Sequence, residues 1–167
     1  MLTSHELFGF MSPALAAEIL GFAFESEKPA YRAALGAVAQ VRHLRPVFLE
    51  RQSRAQRDAM ILASLTRPNL EAAAAALIRT WLVKKHAALL EDFLNALDIK
   101  NEKGVVDSLP EKVDDARLKA AVDGLLAKHP PEVVIVYLNA FNEMNEAGWE
   151  NLRTLLQSEP RLQLGAN

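Results

Sequence analysis

The chain contains no cysteine, which excludes disulfide staples, cysteine-ligated zinc, iron–sulfur clusters and thiol catalysis together. Its seven glycines are scattered, and no two fall in a GxGxxG or GxxxxGK frame, so no phosphate-cradling loop is announced. There are four histidines. None has a glutamate three residues before it and no HExxH occurs, which argues against zincin and ferritin-like di-iron chemistry. GxSxG is missing as well. Asp114-Asp115 opens like an aspartate-rich metal motif, but Ala116-Arg117-Leu118 does not continue it, and the pair reads as a helix cap. No catalytic residue, metal site or cofactor is therefore assigned.

Basic residues are missing from the start. The first is Lys28, so the N-terminus lacks the basic region of a signal peptide. The apolar run Leu70–Val83 is broken by Glu71 and Arg79 and closed by Lys84-Lys85-His86, too short and too charged to cross a bilayer. The expectation is a cytoplasmic protein with no membrane partner.

What the chain has in quantity is apolar surface. Half of its 167 residues are hydrophobic and its mean hydropathy is +0.01. That length suits one domain of the common size, about 100–200 residues. The apolar excess would find cover in a homo-oligomer, most simply a dimer.

Apolar residues recur at spacings of three and four, with Pro and Gly as punctuation. Ser12-Pro13 starts a helix with Leu15, Ile19 and Phe22 on one face, and Pro29 opens another carrying Tyr31, Leu35 and Val38. A third helix runs from Pro46 to about Thr66 with Phe48, Ala55, Ala59 and Leu62 directed inward. The longest spans about 69–98, although Leu70, Ala74, Leu77 and Trp81 lie roughly 120° from Leu82, Leu89, Phe93 and Leu97. It is either buried on two sides or bent near Lys84-Lys85. A polar connection, 100–115, precedes a helix with Leu118, Val122 and Leu125. Val133–Tyr137 has strand propensity but keeps helical spacing and lacks a partner strand, so it reads as helix. A last helix covers Trp149–Gln157, and the tail 160–167 reads as loose. The prediction is an all-α, irregular or orthogonal bundle of about six to eight helices around one central helix, with no β-sheet. It forms one domain, 1–167, divisible into groups 1–99 and 116–158.

Charge is unevenly spread. Residues 28–57 hold seven bases and one acid, whereas residues 101–167 hold eleven acids and seven bases. On a helical projection Arg42 and Arg45 fall on the face of Tyr31, Arg51 falls among the inward residues of the third helix, Arg54 lies at its edge and Arg57 points away. Buried guanidinium groups need carboxylates, carbonyls or an anionic ligand. Arg42, Arg45, Arg51 and Arg54 therefore either snorkel and pair internally, or form a groove for a small anion or an acidic protein segment. Nucleic acid is disfavoured, because the whole chain is acidic and aromatic residues do not interleave with the bases. His86 shares a stripe with Leu82, Leu89 and Phe93; it is a boundary histidine satisfied by one hydrogen bond, or a pocket histidine awaiting partners from other helices. The missing catalytic signatures and the apolar excess together favour a helical, self-associating interaction module.

Overall fold

The computed structural model describes residues 1–165. The chain is all-α, with ten α-helices and no strand among those residues. More helices form than the spacing predicts. Part of the surplus is Ser4–Phe10 (α1), whose Thr3 amide donates to the Glu6 carboxylate at 2.9 Å. The expected third helix is also divided, into Pro46–Glu50 (α4) and Arg54–Leu65 (α5). Ser53 stands between them as an N-cap, its Oγ accepting the Gln56 amide at 3.3 Å.

The expected central helix of 69–98 is likewise not continuous. A 3-10 turn, Pro68–Leu70, leads into Glu71–Lys85 (α6), and Ala87–Ala96 (α7) follows after a break at His86 (φ −118°, ψ 32°). The apolar stripe changes side within α6, between the buried Trp81 and Leu82, so this helix is covered on two sides, and the break at His86 follows one turn later. The described residues group into two compact units, Leu2–Trp81 and residues 82–165 with Met1. The division falls where the stripe changes side, so Trp81 closes one core and Leu82 opens the other. The polar stretch 100–115 lies inside the second unit.

In the N-terminal unit, Pro13–Ser26 (α2), Lys28–Val41 (α3) and α5 pack on one another. Ser12 caps α2 by accepting the Leu15 amide at 3.2 Å, and Pro13 takes the first helical position, where its missing N–H costs nothing. Ile19, Leu20, Tyr31, Leu35, Val38, Ile61 and Leu65 are buried between these helices. Each fully buried aliphatic side chain is worth about 1.5–3 kcal/mol relative to exposure.

The C-terminal unit packs α7 against Asp115–Lys128 (α8), which meets Pro131–Met144 (α9) and Glu150–Ser158 (α10). The strand-like run Val133–Tyr137 is helical, and Val133–Ala140 are all buried. A helix enclosed on all sides carries no polar face, which is why its sequence resembles a strand. The rings of Phe93, Tyr137, Phe141 and Trp149 form its aromatic centre, with Phe93 edge-on to Tyr137 at 5.5 Å. Burial pushes the Tyr137 hydroxyl far above its ordinary pKa. Between α7 and α8, Lys103-Gly104 form a tight turn with φ of 51° and 82°, and a Cβ at Gly104 would collide with that of Leu90. The tail is more ordered than expected: Pro160–Leu162 make a 3-10 turn that buries Leu162, while Ala166 and Asn167 lie outside the described residues.

Candidate interaction surface

Arg45 is extended, as a residue before proline prefers, and Pro46 starts α4. With only five residues, α4 turns one apolar side chain inward, and this is Leu49 rather than Phe48. Val47 and Phe48 are 52% and 53% exposed. The expected inward face of this region is thus an outer one. A single 100° register cannot be carried across Arg51–Ser53, and α5 restarts with Ile61, Ser64 and Leu65 buried. On its opposite side Ala55, Ala59, Ala63 and Thr66 are exposed and Leu62 is half-buried. No charged residue falls within that arc at 100° per residue. Each helix therefore has an exposed side of its own, Val47 and Phe48 on α4 and the small residues Ala55, Ala59, Ala63 and Thr66 on α5.

The arginines divide. Arg42 Nε donates to Ser64 Oγ at 2.7 Å, and that hydroxyl donates to the Met60 carbonyl. Arg54 lies 3.9 Å over the Phe24 ring and reaches Asp58 at 3.4 Å. Arg57, expected to point away, is half-buried. Its Nε donates to Tyr31 Oη at 2.8 Å, and Tyr31 donates to Asp58 at 2.7 Å. Phe24 meets Tyr31 edge-on at 5.1 Å beneath both guanidinium groups. Burial first, and then the hydrogen bond to Asp58, push the Tyr31 hydroxyl up to about 12, so it stays a protonated donor near neutral pH. This cluster ties α2, α3 and α5 together. Arg45 and Arg51 are exposed and make no side-chain hydrogen bond or ion pair among the described residues. They frame Val47 and Phe48.

The histidines lie elsewhere. His86 is half-buried at the α6–α7 break, where its carbonyl accepts the Leu89 amide at 3.0 Å. His5 has a partner that sequence spacing cannot reveal. The Glu71 carboxylate accepts the Ser4 and His5 amides at 2.9 and 2.8 Å, and also meets the His5 ring. A side chain from α6 thereby satisfies the orphan donors at the start of α1. His129 bonds Asp92 at 2.8 Å, and that hydrogen bond, with Lys128 beside it, holds the Asp92 carboxyl below its ordinary range. Among the described residues no group of three His, Asp or Glu could hold a metal ion, and no helix is long and apolar enough to cross a membrane.

The C-terminal unit also has an open cavity of about 1290 Å³ beside the loop 97–114. Leu97, Ile99, Leu109 and Val113 line it, with Lys84, Lys100, Lys103, Lys112 and Arg117 set among Asp98, Glu102, Asp107 and Asp114. Interleaved signs leave it without a strong preference for either charge. No protein-family model, curated protein or solved structure matches the chain.

Proposed function

We propose that this protein is a helical interaction module that self-associates through the exposed side chains of α4 and α5. The observation that carries this reading is the exposure of Val47 and Phe48 on α4, together with the uncharged exposed side of α5. Adjacent large apolar side chains left half-exposed are the kind of surface that a contact covers. Small residues such as Ala55, Ala59 and Ala63 let a partner backbone approach closely, and Phe48 supplies the bulky anchor typical of interface centres. An anion pocket built from all four arginines is less favoured, because Arg42 and Arg54 are already engaged by Ser64, Asp58 and Phe24.

Light scattering coupled to size exclusion tests the proposal over a range of protein concentrations. The expected result is a molar mass that rises with concentration in the wild type and stays monomeric in the Val47→Ser/Phe48→Ser variant. A wild type that remains monomeric throughout overturns it.

A further inference from the structure

The cleft beside the loop 97–114 lies within the C-terminal unit. Asn101 shapes the start of that loop: its Oδ1 accepts the Gly104 amide and its Nδ2 donates to the Ile99 carbonyl, both at 3.0 Å. Glu102 and Val105 then exchange two backbone bonds, at 2.9 and 3.0 Å, and backbone pairing stops there. Through 106–113 no amide or carbonyl bonds another backbone group among the described residues. Two side chains from the start of α10 anchor the stretch instead. Trp149 Nε1 donates to the Pro110 carbonyl at 2.8 Å, and Asn151 Nδ2 to that of Val113 at 2.9 Å. The stretch bends at Asp107 and Glu111 and otherwise takes no regular form. It is thus held in place while its other main-chain donors and acceptors stay open to a partner.

The cleft itself narrows the choice of partner. Its volume of about 1290 Å³ exceeds the roughly 300–1,000 Å³ of sites for single small molecules, which suits an elongated occupant. Leu97, Ile99, Leu109 and Val113 offer apolar contact along it. The acids and bases around it are all exposed, and none is ion-paired among the described residues. A ligand of one sign would meet repulsion as well as attraction there, whereas a chain carrying both signs can pair with each.

We propose that this cleft binds an extended peptide segment of a partner protein, one that carries acidic and basic side chains together. The open main-chain groups on either side of Pro110 bond the peptide backbone, as when a strand is added to a sheet edge. Alternate peptide side chains then meet the apolar lining, and those between them meet the charges. Pro110 has no amide and interrupts the pairing. Peptide capture here needs no self-association through α4 or α5.

A displayed library of random peptides about a dozen residues long, selected on the full chain, supplies the probe, and fluorescence anisotropy measures the best binder. Ser108→Pro removes one amide donor and is expected to weaken binding by about tenfold or more, with circular dichroism checking that the variant is folded. N-methylation walked along the peptide leaves the protein untouched. It is expected to weaken binding at alternate amides, the mark of main-chain pairing. Should Ser108→Pro fail to fold, the N-methyl series decides alone. A library that yields no binder overturns the proposal, and so does a binder indifferent to N-methylation or to a folded Ser108→Pro variant.

Discussion

Asp92 shows how much of this fold depends on single polar side chains. It receives His129 at 2.8 Å and Lys128 at 3.3 Å, joining α7 to the end of α8. Its carboxyl is held below the ordinary value of 3.8, first by the His129 hydrogen bond. A depressed folded-state pKa adds stability above the unfolded value, and that contribution disappears as pH falls through the folded one. Asp92→Asn is therefore expected to lower the urea midpoint at neutral pH, and to narrow its gap from the wild type as pH drops from about 5 toward 2. Urea titrations at four or five pH values would show this; a gap independent of pH would contradict it. The same dependence on distant partners explains why site residues were only partly legible. The Tyr31–Asp58–Arg57 chain joins residues 26 and 27 positions apart, and His5 meets Glu71 across 66. No local spacing encodes such pairs.

Helix ends were read better than helix phases. Ser12-Pro13 and Asp114 cap where the residue chemistry says they should, because N-caps need only a short oxygen-bearing side chain beside its own backbone. Ser53 is the same kind of residue, but its cap lies inside a run of helical spacing, and the break it makes turns Phe48 outward. Two C-termini carry an avoidable strain. Three residues after the last residue of α3 and of α7, an amide bonds a carbonyl five residues back, Leu44 to Ala39 at 2.8 Å and Ile99 to Leu94 at 2.9 Å. That motif places His43 and Asp98 at φ of 56° and 57°, where glycine is normally found. His43→Gly and Asp98→Gly should each stabilise the protein by a few tenths to about 1 kcal/mol, the relief of left-handed strain outweighing glycine's added unfolded-state freedom. A raised urea midpoint with unchanged m-value is the expected readout.

For the molecule as a whole, the proposed association predicts a coupling to stability. If copies bind one another only when folded, the thermal midpoint rises by a few degrees with protein concentration, because binding the native state draws the equilibrium toward it. The Val47→Ser/Phe48→Ser variant should lose that concentration dependence while keeping its midpoint at high dilution. The helical class, the caps and the uneven charge follow from spacing and composition, since each depends on neighbours within a turn or two. Which apolar stripe is covered, where α6 passes from one core to the next, and which arginines are engaged depend on side chains brought together from far apart. Helical periodicity marks a face as apolar without saying what lies against it. On α4, the folded chain leaves Val47 and Phe48 uncovered.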